Sequence, residues 1–161
     1  MVYIMKIYID GGCRGNGNSW AKGAAAVAVK RRNGTYIGWY RTLPSSPTPT
    51  NQRAELTAVI MALKKVLERY EFLNQGPYMD VTIYSDSRYV VDCMTKWVYK
   101  WSANGWVNAK GDEVANQDLI REASRLDDEV GEIGDVSYVH IPRANNRYAD
   151  NLCKECLDQQ G

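Results

Sequence analysis

The sequence predicts an α/β fold: a five-stranded mixed sheet, with an antiparallel three-strand meander plus two parallel strands and helices on both faces. Two observations carry this expectation. Three strand-like segments stand first in the chain and are joined by short turns, which leave neighbouring strands antiparallel. Two later strand-like segments each follow a stretch of helical periodicity, and a crossover through a helix returns the chain parallel.

Tyr3 to Asp10 reads Y-I-M-K-I-Y-I-D, rich in β-branched and aromatic residues, and stops at a glycine-rich turn, Gly11 to Gly17. It is a strand that ends in a carboxylate. Trp20 to Arg32 and Thr35 to Leu43 give the next two strands around Asn33-Gly34, a pair suited to the positive backbone angles of a tight hairpin. Pro44 to Thr50, P-S-S-P-T-P-T, reads as a stiff surface loop, because each proline lacks a donor and restricts its predecessor. Leu56, Val59, Ile60, Leu63 and Leu67 then recur at helical spacing, with Thr50 or Asn51 as N-cap. Tyr78 to Tyr84 is a short strand of buried type, and Ser85 with Asp86 offers cap chemistry to a helix from Ser87 to Trp97. A helix over Asn116 to Glu129, a strand over Val136 to His140 and a helix over Asn145 to Asp158 complete the chain. The order holds no repeat and no dividing linker, so one domain over residues 1–161 is expected.

A hydrophobic share of 45% in 161 residues is enough for one core. No apolar run approaches the roughly 18 residues of a membrane span. The first ten residues lack the pattern of a signal peptide, so a soluble, cytoplasmic protein without membrane contact is expected. Lys and Arg total 20 against 19 Asp and Glu, a formal charge of +1, so any nucleic-acid surface must be a local patch. Cys13, Cys93, Cys153 and Cys156 are too few and scattered for a disulfide framework. Cys153 and Cys156 form a C-x-x-C pair, but no second pair or histidine cluster completes a zinc site. The glycine-rich turn has neither G-x-G-x-x-G nor G-K-[ST], which speaks against a nucleotide cofactor.

Four acids carry the chemistry. Asp10 ends an otherwise apolar strand, a costly place for a carboxylate unless it meets a cation, a donor or water. Glu55 lies on the helical side of Val59, and Asp150 sits beside Ala149 and three residues before Cys153, near an expected buried face. Asp86 follows a strand, where it is either a helix cap or a ligand. In a mixed sheet of this order, functional groups gather outside the carboxyl ends of the strands. Hard oxygen donors suit Mg²⁺, and two such ions about 4 Å apart can activate a water and stabilise a leaving oxygen in phosphoryl displacement.

Y-I-D-G-G-C-R-G-N at Tyr8 to Asn16, T-N-Q-R-A-E-L at Thr50 to Leu56, Y-S-D-S at Tyr84 to Ser87 and N-R-Y-A-D at Asn146 to Asp150 resemble the four signature segments of type 1 ribonuclease H. The resemblance spans nearly the whole chain, in order. It implies a ribonuclease H-like fold and hydrolysis of the RNA strand of RNA/DNA hybrids with Mg²⁺, or Mn²⁺ in its place, at two ions, leaving 5′-phosphate and 3′-hydroxyl ends. Carried over by position, it implies that Asp10, Glu55, Asp86 and Asp150 bind the metal. It also implies that Gly11, Cys13, Asn16, Asn51 and Gln52 contact the nucleic acid, although Asn51 also suits a plain N-cap. T-K-W-V-Y-K-W-S-A-N-G-W at Thr95 to Trp106 resembles the handle that holds the DNA strand, with Trp97, Lys100 and Trp101 as contacts. Core packing is the other reading of the two tryptophans, four residues apart on a helix. Asn116 falls where the family places a residue beside a DNA phosphate.

Two departures stand out. His140, the only histidine, lies ten residues before Asp150, as a catalytic histidine does in many members. V-H-I-P-R at Val139 to Arg143 instead resembles the strand end ahead of that histidine's loop, with the loop shortened and His140 structural. Thr48 stands where some relatives carry a basic phosphate contact. Only two residues precede Tyr3, so no separate hybrid-binding module is expected. No obligate protein partner is evident in the sequence, and a monomer is expected. The rival readings are a DNA-directed nuclease or recombinase of similar fold, and a hybrid-binding module that does not cut.

Overall fold

Apolar residues at every second position make the first segment a central strand. In the computed structural model, which describes residues 1–161, β1 spans Val2–Arg14 and buries Met5, Ile7 and Ile9 on one face. β2 (Lys22–Lys30) and β3 (Tyr36–Thr42) follow as antiparallel neighbours. They are joined by a turn in which Gly34 takes φ 84° and the Asn33 side chain accepts a bond from the Thr35 amide. β4 (Tyr78–Ser85) and β5 (Gly134–His140) run parallel to β1, giving the sheet order β3-β2-β1-β4-β5. The expected five-stranded mixed sheet is present.

Helices cover both faces. α1 (Asn51–Leu73) and α4 (Gln117–Gly131) lie on the face of Ile7 and Ile83, where Leu56, Val59, Leu63, Ile120 and Leu126 complete the main core. α5 (Arg147–Gln159) lies on the other face, with Cys153, Cys156 and Leu157 buried against Ala24 and Ala26 of β2. The run G-A-A-A-V-A in β2 explains this double cover, since small side chains let helices approach the sheet closely from both sides. The C-x-x-C thiols are free, and burial pushes the Cys153 thiol up to about 12, which keeps it protonated and inert.

Two details differ from the sequence reading, and a third settles an alternative it left open. β1 does not stop at Asp10. Its pairing with β4 ends at Ile9 and Ser85, but β2 continues alongside to Arg14, so the turn begins only at Gly15. Asp10 therefore sits where one neighbour has left and the other remains. The helix predicted from Ser87 to Trp97 is instead α2 (Arg88–Asp92), a π-helical turn (Cys93–Trp97) and α3 (Val98–Asn104), ended by Gly105 at φ 80°. The π turn, marked by the Val98 amide donating to Cys93, rotates the following tryptophans relative to an uninterrupted helix. Finally, Thr50 is the N-cap of α1, accepting from the Arg53 amide, which leaves Asn51 free for another role.

Candidate active site

The four acids approach one rim of the sheet from different sides. Asp10 lies on the α5 face of β1, by alternation with Ile9, which is buried on the α1 face. Asp86 follows the last residue of β4, and its carboxylate makes no hydrogen bond. The cap of α2 is Ser87, whose hydroxyl accepts from the Val90 amide, so the capping alternative for Asp86 is not what the fold uses. Glu55 comes over from α1, its carboxylate accepting a 2.7 Å bond from the Ser87 hydroxyl. Asp150 comes from the first turn of α5, where its amide is bonded to the Asn146 carbonyl.

Gly11 makes this convergence possible. A Cβ there would lie 2.4 Å from the Ala54 carbonyl carbon and the Glu55 nitrogen, so β1 and α1 touch backbone to backbone between Asp10 and Glu55. Only glycine allows that approach.

Electrostatics show how unbalanced the rim is. Burial, followed by the charges of Asp86 and Asp150, pushes Asp10 up to about 8. Burial also raises Glu55, against the Ser87 bond, with Asp86 adding repulsion. Asp150 runs the other way: burial raises it, but Lys154 and Arg143 outweigh that and hold it below its usual range. Arg143 reaches Asp150 at 3.0 Å and Lys154 at 3.2 Å. Crowded, part-desolvated carboxylates with hard oxygen donors fit a divalent cation. No three of them are drawn together closely enough to hold one as they stand, because Asp150 is turned to Arg143 and Lys154 and Glu55 to Ser87. The two basic residues went unnoticed in the sequence, although Lys154 is four residues after Asp150 on the same helix face.

The expected substrate residues fall into three groups. Asn51 accepts from the Cys13 amide and donates its own amide to Asn16, both at 2.9 Å, locking these three residues into one patch beside Gly11. Asn116, held at φ 61°, donates to Gln52 at 3.3 Å and to the Tyr89 hydroxyl at 3.1 Å. Arg53, also missed in the sequence, reaches Asn116 and forms a two-pronged pair with Asp118 at 3.0 and 2.7 Å. Trp97, Trp101 and Trp106 form an aromatic chain with successive ring centres 5.7 and 6.5 Å apart. Val98 is buried there while Trp97 and Lys100 are exposed, so the two readings divide: Trp101 packs partly on the core and Trp97 faces outward.

His140 makes no contact with the acids. It closes β5 opposite Ser85, and alternation with Tyr138 places it on the α1 face, opposite to Asp10. Its Nδ1 lies 3.4 Å from the Arg88 guanidinium. The catalytic and the structural readings of His140 are separated by its removal. His140→Ala is expected to keep kcat within about threefold, whereas a loss of roughly 10²-fold, the scale of a lost acid or base, would restore the catalytic role.

Comparison with known proteins agrees in sequence and in fold. The family model RNase H matches residues 3–157. The chain belongs to the ribonuclease H family. A ribonuclease H of Erythrobacter litoralis is 34% identical over 158 residues, covering 97% of both chains. The solved RNase H1 of Halobacterium salinarum superposes with a TM-score of 0.67 at 25% identity, over 98% of this chain and 99% of that one. LC11-RNase H1, isolated from compost by a metagenomic approach and solved with an RNA/DNA hybrid, gives 0.73 at 26% identity, over 97% and 98%. As a ribonuclease H, the chain is an enzyme of a divalent-metal-dependent endoribonuclease family. No helix is long and apolar enough to cross a membrane.

Proposed function

We propose that the protein is an endonuclease that hydrolyses the RNA strand of RNA/DNA hybrids, with residues 1–161 as one catalytic domain. The observation that carries this reading is the set of four acids meeting at the rim beside the Cys13–Asn16–Asn51 patch. Amides and backbone donors at that patch suit the 2′-hydroxyls and minor-groove edges of an RNA strand, which DNA lacks or presents differently. Gln52 and Asn116 extend the surface, and the exposed Trp97 and Lys100 add an aromatic face and a phosphate partner for the DNA strand.

Asp10, Glu55, Asp86 and Asp150 would hold the cations, Mg²⁺ or Mn²⁺, at two positions. Bound there, divalent ions supply positive charge to a phosphate and lower the pKa of an attacking water. The chain's part is to hold acceptors close together before the substrate arrives. Asp10 keeps its proton to about pH 8 until positive charge reaches it, and Asp150 must exchange Lys154 and Arg143 for that charge. In the overall reaction, water oxygen bonds to phosphorus as the P–O3′ bond breaks. The leaving oxygen takes a proton to become the 3′-hydroxyl, and the other product carries the 5′-phosphate.

Cutting a hybrid labelled at either RNA end, then asking whether a ligase that requires 5′-phosphate and 3′-hydroxyl ends can rejoin the pieces, tests this chemistry. Ligatable ends are expected; 3′-phosphate or cyclic phosphate ends would overturn it. The competition at Asp150 is testable separately. A pair with an exposed lysine contributes up to about 1 kcal/mol, so Lys154→Met is expected to lower the half-saturating Mg²⁺ concentration by up to about fivefold. An unchanged or raised value in a metal titration would show that Lys154 does not compete.

A further inference from the structure

α5 covers β1 to β3 only in part, and what it leaves open on that face is unusual. Tyr8 and Tyr84 each lie two residues before an acid of the site, on neighbouring strands in register, with their rings stacked at 4.6 Å. Tyr36 of β3 meets Tyr8 edge-on at 5.6 Å and stacks on Tyr148 of α5 at 4.9 Å. Four tyrosines thus form an unbroken aromatic run from the acidic rim across the sheet. Gly38 lets α5 approach here, since a Cβ there would lie 2.3 Å from Leu152 and 3.2 Å from the Tyr148 ring.

Basic residues flank the run. Lys6 and Lys30 are paired across β1 and β2, and Lys30 is paired with Tyr36 across β2 and β3, so all three share this face. Both lysines and Arg147 are exposed and none forms an ion pair. Apart from the acids of the rim itself, the acid nearest this strip by register is Asp80, opposite Ile4 and one pleat beyond Lys6. Tyr8, Tyr36, Arg147, Tyr148 and the amides of Asn145 and Asn151 line a recess of about 410 Å³, within the range of small-ligand sites. Nothing in the proposed hybrid contacts uses any of these groups.

Aromatic faces interleaved with unpaired cations are what a single strand of nucleic acid needs: bases stack without regard to sequence while lysine and arginine follow the phosphates. A duplex cannot use such a floor, because its bases are already stacked on one another. We propose that the Tyr84–Tyr8–Tyr36–Tyr148 run is a second nucleic-acid site, which takes an unpaired RNA segment continuous with the strand in the active site. The inference rests on the hybrid reading for its placement. It assigns the protein a preference for hybrids whose RNA strand runs on beyond the duplex, as at the boundary between a hybrid and free RNA.

The test is binding by fluorescence anisotropy, in EDTA so that nothing is cut, to a flush hybrid and to the same hybrid with six unpaired RNA nucleotides at the 5′ or the 3′ end. The wild-type protein is expected to bind one extended form at least about fivefold more tightly than the flush form. Tyr148→Ala and Lys30→Glu should each bring that ratio towards one, and the ratio cancels any general loss of folded protein. A wild-type ratio of one for both extensions, or a ratio that neither variant changes, overturns the proposal. Cleavage of the flush hybrid in Mg²⁺, measured alongside, reports on the hybrid reading alone, so the two fail separately.

Discussion

Asp10→Asn is expected to abolish cleavage and, without metal, to make the protein more stable at pH 8. The two effects have one cause. Asp10 is part-buried, faces Asp86 and Asp150, and is pushed up to about 8 from a usual value near 4. A raised acid binds its proton more tightly in the folded than in the unfolded chain. Its contribution is therefore fully present below the unfolded value and is lost as pH rises through about 8. The metal-free wild type should lose stability between about pH 4 and pH 8 from this group, and asparagine, which cannot ionise, should flatten that slope. Thermal melts in EDTA across this range check it. A variant as pH-dependent as the wild type would mean that Asp10 is not strained, and an active variant would remove it from the site.

Gly11→Ala should be the most damaging single methyl group in the protein. The added Cβ would sit 2.4 Å from two backbone atoms of α1, and backbone cannot rotate away as a side chain can. Either β1 and α1 move apart, at about 1–3 kcal/mol for overpacking, or the strand twists. Both routes shift Glu55 relative to Asp10, and displacements near 1 Å at a reacting centre cost about 10²-fold. The expected result is a folded protein, by circular dichroism, with kcat down at least that far. The same substitution at Gly12 meets only side chains, Cys153 and Leu157 at 3.3 and 3.5 Å, and should cost far less. Equal losses at both positions would contradict the special role of Gly11.

The sheet was legible in the sequence because the strand segments are apolar and β-branched, and because tight turns and helical crossovers leave few ways to connect them. Asp10, Glu55 and Asp150 stand out in the sequence because each breaks an apolar pattern, at a strand end, a helix face or a buried stripe, whereas Asp86 reads equally well as a helix cap. The true end of β1 was not legible, since Gly11 and Gly12 read as turn when the decisive fact is that β2 continues beside them to Arg14. The π turn at Cys93–Trp97 leaves no mark in periodicity over so short a helix. Ser87 finds Glu55 only through the meeting of distant elements, and Arg143 reaches Asp150 only because the chain folds back in the turn ahead of α5, neither of which a local pattern reports. The face of His140 was not legible either: strand alternation, visible only once β5 is fixed, puts it on the side of α1, opposite Asp10.

The most direct measurement is cleavage of one labelled sequence presented as RNA/DNA hybrid, double-stranded RNA, single-stranded RNA and double-stranded DNA, each with Mg²⁺ and with EDTA. Cutting confined to the RNA strand of the hybrid, and lost in EDTA, is the predicted result. Cutting of the DNA duplex, cutting that persists in EDTA, or tight hybrid binding with no cutting would contradict it.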